Sequence, residues 1–180
     1  MGICYSSWKI HQTRARLKKS TFETVDVFEP PCGVCKVLSV YDADTCRVAI
    51  PMNDGTLAKF TVRLMGIDAP ERKPSKQNKT RDLEKQAAMR CRARLLQLVV
   101  DPKTPLEFTA CAKDMCANSQ VLMRLEAKMF DKYGRILAEL YTNKGTSVSN
   151  VLRDEGWVRT YNGETRQAWT VEELTKIMKL

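Results

Sequence analysis

The stretch Leu57-Ala58-Lys59-Phe60-Thr61-Val62-Arg63-Leu64-Met65-Gly66 alternates apolar with polar side chains. A period of two is what a strand with one buried face requires. Two shorter runs precede it. Residues 34–40 and 46–50 read as strands joined by a turn at Asp42-Ala43-Asp44-Thr45, and Pro51 stops the second. Asn53-Asp54-Gly55 is a strong turn signal between the second strand and the third. Three strands joined by tight turns make a meander.

Working outward, residues 81–100 predict a helix with Leu83, Ala87, Cys91, Leu95 and Leu98 on one face and basic residues opposite. Asp101-Pro102 ends it. Residues 106–111 and 121–130 both read as strands, and 136–141 is another after the turn Asp131-Lys132-Tyr133-Gly134-Arg135. Residues 147–155 predict a short helix closed by Gly156. A last amphipathic helix begins near residue 166 and carries Trp169, Val171, Leu174 and Ile177. A curled meander, a helix, further strands and further helices predict a mainly β, α+β domain over residues 34–180. Its core is a five-stranded closed β-barrel of the OB type with about three helices. Residues 20–33 read as a linker ending in Pro30-Pro31-Cys32-Gly33, so residues 1–33 stand apart from the domain.

Composition narrows the chemistry. The chain has 180 residues and a net charge of +9, which favours a polyanionic partner such as nucleic acid or an acidic membrane surface. Lys9, Arg14, Arg16, Lys18 and Lys19 fall within the first twenty positions, which hold no acid. The rest carries 25 basic against 21 acidic residues, so the domain itself is only mildly basic. His11 is the only histidine and lies in that basic tail. Ser-His-Asp and Cys-His catalysis and two-histidine zinc sites therefore lack their essential residue. Seven cysteines make an odd count in a sequence with no signal-peptide pattern, and they read as mostly reduced and intracellular. Cys46 and Cys91 fall in apolar patterns and read as core residues. Cys32 and Cys35 have metal-knuckle spacing, but Cys111 and Cys116 do not, which favours four unrelated thiols.

Five charged residues are the functional kit: Asp44, Arg63, Asp68, Glu71 and Arg135. Carboxylates are ligands for calcium or magnesium. Arginine presents a planar fork that grips phosphate oxygens and spreads the charge of a phosphoryl transition state. Three motifs, D-x-D-T at 42–45, R-L-x-x-I-D-x-P-E at 63–71 and D-K-Y-G-R at 131–135, occur in order with the helix at 148–156. This set resembles the staphylococcal nuclease (thermonuclease) family over roughly residues 34–165.

The resemblance implies an OB-fold barrel and calcium-dependent cleavage of DNA and RNA with little sugar or sequence specificity. It places one calcium ion on the carboxylates of Asp44 and Asp68 and the backbone carbonyl of Ala69, with Asp42 supporting it through water. Arg63 and Arg135 fall on the reacting phosphate, and Glu71 falls on the acid proposed to activate water. Lys132 and Tyr133 match residues that contact substrate phosphate, and Tyr161 is a looser match to a base-stacking tyrosine. Single-stranded DNA and RNA are the expected partners and a monomer the expected state. One departure stands out: between residues 106 and 128 this chain is longer than the family pattern, with two strands where one is expected. The alternatives from other classes are a catalytically inactive OB-fold nucleic-acid-binding module and a membrane-bound adaptor.

The opening residues carry a separate signal. Gly2 behind Met1, with Ser6 at the favoured position, fits N-myristoylation, and Cys4 beside it is a candidate for S-palmitoylation. One acyl chain anchors only marginally, so a second chain or the basic patch from Lys9 to Lys19 is required. This start resembles that of plant membrane-anchored, calcium-dependent family members. It implies attachment to the cytoplasmic face of a membrane, the plasma membrane by that resemblance, and a protein that is not secreted. The competing reading is a basic tail that binds nucleic acid.

Overall fold

A computed structural model describes residues 7–108 and 111–180 of the chain. The elements run α1 (Ser7–Lys19), β1 (Gly33–Asp42), β2 (Thr45–Pro51), β3 (Leu57–Leu64), β4 (Ile67–Asp68) and α2 (Arg81–Val100). Then come α3 (Ala112–Asn118), β5 (Met123–Phe130), β6 (Ile136–Tyr141), α4 (Val148–Asp154), β7 (Arg159–Thr160) and α5 (Val171–Ile177). Five strands close a barrel in the order β1-β2-β3-β6-β5, and β4 pairs with β7 in a separate ribbon. The architecture is the expected five-stranded OB-like barrel of an α+β domain, with five helices among the described residues, four of them within residues 34–180 where about three were expected.

Closure follows from the pairings. β1, β2 and β3 are antiparallel neighbours, whereas β3 meets β6 in parallel through Val62↔Ile136 and Leu64↔Ala138. β5 completes the circle between β6 and the start of β1. β1 slips register twice, between Val37 and Ser39 and between Val40 and Asp42, and such bulges bend a strand enough to turn a barrel corner. The inward side chains of alternate positions fill the interior. Cys46, Val48, Val62, Leu125, Ile136, Ala138 and Leu140 are all fully buried.

The α2 helix spans the residues its pattern predicts, and its buried surface is wider than one stripe because β1, α3, α4 and α5 all pack on it. Ala88, Leu96, Val99 and Val100 are buried along with Ala87, Cys91, Leu95 and Leu98. Arg92 departs from the expected basic exposed face: it is buried and its Nε donates to the Val40 carbonyl at 3.1 Å. Glu84, near the start of α2, is buried too.

Three expectations are corrected. No strand occupies the described part of residues 106–111; the extra sequence instead forms α3, which buries Ala112 and Cys116 against β1. The reason is topological, because β5 already fills the space between β6 and β1 and leaves no edge for a sixth strand. The third strand stops at Leu64, not at residue 66. Gly66, at φ +74°, turns the chain sharply into β4. The last helix starts at Val171, where Thr170 and Glu173 form a reciprocal capping box, and Val171 itself is exposed. The basic N-terminal segment also contains a helix, α1, where the sequence reading assigned no element.

Cys46 and Cys91 are core residues, as are Cys35 and Cys116, while Cys32 and Cys111 are exposed. Among the described residues no three His, Cys, Asp or Glu side chains are arranged to hold a metal ion, and no helix is long and apolar enough to cross a membrane.

Candidate active site

The barrel brings distant motifs to one end. A cavity of about 1040 Å³ is lined by Asp42, Asp44, Arg63, Asp68, Glu71, Lys132, Tyr133, Arg135 and Tyr161. These are nine of the residues singled out in the sequence, eight of them in the three motifs, and Ala69 lies next to Asp68 in the chain. Gly2 and Cys4 lie outside the described residues.

Register explains the convergence. Thr45 pairs with Arg63 across β2 and β3, and the Leu64 amide donates to the Asp44 carbonyl at 2.7 Å. Arg63 is also level with Leu137 of β6, which places the β5–β6 turn beside it. β4 is only two residues long, yet its pairing with β7 sets Asp68 opposite Arg159 and fixes the carboxylate at the barrel rim. Glu71 lies on the following loop, where its amide donates to Glu84 at 3.0 Å. Glu84 also accepts from Asn78 at 2.5 Å, so one buried carboxylate ties the loop to α2.

Guanidinium groups hold the acids together. Arg63 reaches Asp44 at 2.7 Å and Asp68 at 3.8 Å. Arg159 donates twice to Asp68, at 3.0 and 2.8 Å, and lies over the Trp169 ring at 4.3 Å. Arg166 reaches Asp68 at 2.9 Å, donates to the Ala69 carbonyl at 2.7 Å and pairs with Glu71. Asp44 completes its contacts by accepting from Thr45 at 2.8 Å and from the Ala69 amide at 3.2 Å. Arg159 and Arg166 were not singled out in the sequence. Arg159 sits two positions before Tyr161 on a short alternating run, a faint cue. Arg166 lies in a polar stretch that carries no cue.

The electrostatics match this crowding. Burial, then the charges of Glu71 and Asp44, push the Asp42 carboxyl up to about 7, against the opposing pull of Arg72. Burial also raises Asp44, opposed chiefly by Arg63. Asp42 Oδ1 has no hydrogen-bond partner, and Asp68 Oδ1 faces its two guanidinium neighbours without hydrogen-bond geometry. Buried carboxylate oxygens left in this condition, beside a backbone carbonyl, form an all-oxygen donor set suited to a hard divalent cation. The residues therefore fit a calcium ion.

On the facing wall, the β5–β6 turn is built around Asp131. Its Oδ1 accepts from the amides of Tyr133 and Arg135, both at 2.9 Å, and its Oδ2 accepts from Arg135 Nε at 2.7 Å. Burial would raise the Asp131 carboxyl, but these bonds outweigh it and hold the group low. Gly134, at φ +77°, supplies the left-handed residue of this turn. Arg135 is thereby aimed, while the Tyr133 ring stays 71% exposed with Lys132 and Arg135 within 5.5 Å. The Tyr161 hydroxyl donates to the Glu164 carbonyl at 2.8 Å.

A pH dependence follows for the metal-free protein. A carboxyl whose folded pKa lies above its unfolded value stabilises the fold at low pH, and that contribution is lost as pH rises through the folded value. For Asp42 the window runs from 3.8 to about 7. In chelator, stability from urea unfolding is expected to fall across this window, and Asp42→Asn is expected to flatten the fall. An unchanged slope in Asp42→Asn would exclude Asp42 as its source.

A comparison with curated proteins finds no match. The family model described as staphylococcal nuclease homologue matches residues 61–179, from β3 through α5 and well over half of the chain. With the closed barrel and the three motifs at its rim, that match makes the chain a member of the staphylococcal nuclease family, whose function is of the nuclease type.

Proposed function

We propose that this protein is a calcium-dependent nuclease that hydrolyses phosphodiester bonds of DNA and RNA with little sugar or sequence specificity. The observation that carries the reading is one cavity with Asp44, Asp68 and Glu71 facing Arg63 and Arg135. Asp44, Asp68 and the Ala69 carbonyl would hold one calcium ion, with Asp42 behind them. Bound there, calcium polarises the phosphate and offsets the charge that builds on it.

The chain's own groups do the rest. Arg63 and Arg135 grip the phosphate oxygens and stabilise the added negative charge as water attacks. Glu71 holds the attacking water and accepts its proton, and Glu84 fixes the backbone beneath it. Asp131 holds Arg135 in its aim. The exposed Tyr133 offers a face to an unpaired base and Tyr161 is a second candidate, which supports a preference for single strands. The protein is proposed to act as a monomer.

A second reading has one observation in its favour: Arg63, Arg159 and Arg166 neutralise the acids without any metal. A site balanced in that way suits a binding module as well as an enzyme. Cleavage decides between them.

For membrane attachment, support comes from the sequence of residues 1–6 and from the basic helix α1, which ends in Arg16, Lys18 and Lys19. Myristoylation at Gly2, with palmitoylation at Cys4, would tether the protein to an anionic cytoplasmic membrane surface, that of the plasma membrane.

Four outcomes are expected. Purified protein cuts single-stranded DNA with calcium and stops on chelation, and Asp44→Ala or Asp68→Ala abolishes cutting. Arg63→Lys loses about 10²–10³ in kcat, since lysine has no bidentate grip; binding without cutting in any divalent metal would hand the protein to the second reading. Arg166→Ala binds calcium more tightly in titration calorimetry without nucleic acid, because it removes the cation now seated on Asp68, Glu71 and Ala69. Weaker binding there would make Arg166 a support for the metal ligands and not a competitor. Gly2→Ala moves the protein from membrane to soluble fractions, and unchanged partitioning would reject acylation at Gly2.

A further inference from the structure

A second cavity, about 530 Å³, shares Tyr41 and Thr45 with the first. Arg47, Arg72, Arg92 and Lys113 line it from β2, the loop after β4, α2 and α3, and its lining includes no Asp or Glu among the described residues. In a domain whose acids and bases nearly balance, four cations gathered from four segments without a carboxylate are not a random draw. Two of them are in costly positions. Arg92 is only 7% exposed. Arg72 lies over the Tyr41 ring at 5.3 Å and donates to the Tyr41 carbonyl at 3.2 Å, while its Nε is buried without a hydrogen-bond partner. Burial, then the charge of Arg72, pull the Arg92 guanidinium below its ordinary range, against the opposing charge of Asp42. Asp42 is a single acid beside two guanidiniums, and with Arg47 and Lys113 nearby the excess positive charge favours a further anion. Hydroxyls of Ser39, Thr45 and Thr61 add neutral donors.

We propose that this pocket is a second phosphate subsite, which holds a phosphodiester of the same strand whose scissile bond lies in the first cavity. Arg72 and Arg92 form its floor, and Arg47 and Lys113, both exposed, form its rim. Continuity with the first cavity favours a nucleic-acid strand over a lipid headgroup, and this choice of ligand rests on the nuclease reading. The extra segment that forms α3 supplies Lys113 and so builds one wall.

The test measures binding of labelled oligothymidylate of about ten nucleotides by fluorescence anisotropy against salt, in chelator so the strand stays intact. The full chain is compared with the double variant Arg47→Gln, Lys113→Gln. A control pair, Lys103→Gln with Lys144→Gln, removes the same charge from exposed positions that line neither cavity. Each phosphate neutralised on a single strand contributes about 0.7 to the salt slope, so losing the one held here is expected to lower the slope by up to about 0.7 in the rim variant and much less in the control. Calcium-dependent cleavage of a thymidine dinucleotide, too short to span both cavities, is expected to stay at the wild-type rate. A slope unchanged, or lowered equally by the control pair, overturns the subsite. So does a rim variant that loses binding only to phosphatidylserine vesicles. If the wild type cuts nothing yet the rim variant alone lowers the slope, the subsite stands and the nuclease reading fails.

Discussion

Carboxylates crowded into a poorly solvated place repel one another, and the rim of this barrel is organised around meeting that cost. Asp42, Asp44, Asp68 and Glu71 come from β1, the turn after it, β4 and the loop beyond. Arg63, Arg159 and Arg166 reach in from β3, β7 and the loop before α5 to balance them. Each arginine is also part of the scaffold. Arg63 lies in the register of three strands, Arg159 is stacked over Trp169, and Arg166 closes the loop that follows Tyr161. Charge balance and tertiary structure are thus the same set of contacts, and a change at either end disturbs both.

Much of this was legible in the chain. The alternation at 57–66 and the apolar periodicity at 81–100 are properties of single segments, and both elements appear there, the strand ending two residues early at Leu64. The motif acids and arginines were legible because their residue types and spacing are distinctive. Arg159 and Arg166 were not, because their partners lie more than ninety positions away and nothing local marks them. The segment at 106–111 was misread for a related reason. Its apolar residues suit a strand, but whether a strand has an edge to join depends on how the barrel closes. Arg92 was misread because the burial of a helix face is decided by what packs on it.

The family match begins at residue 61, within β3, while Asp42 and Asp44 lie upstream of it. The β1–β2 hairpin is nonetheless integral. Its pairing with β3 and β5 closes the barrel, and its turn carries the carboxylate that meets Arg63. The second cavity has a similar composite origin, with β2 and α2 from the barrel body and α3 from the extra sequence. Family resemblance and local novelty meet at Tyr41 and Thr45, the wall the two cavities share.

The parallel contact of β3 with β6 has a consequence for how the chain comes into being. It joins Val62 to Ile136, so a long intervening loop must be closed before the barrel exists. During synthesis the hairpin bearing Asp44 emerges well before β6, and before Arg159 and Arg166, which lie nearer the end. The acidic cluster therefore reaches its finished form only after the chain as far as Arg166 has left the ribosome.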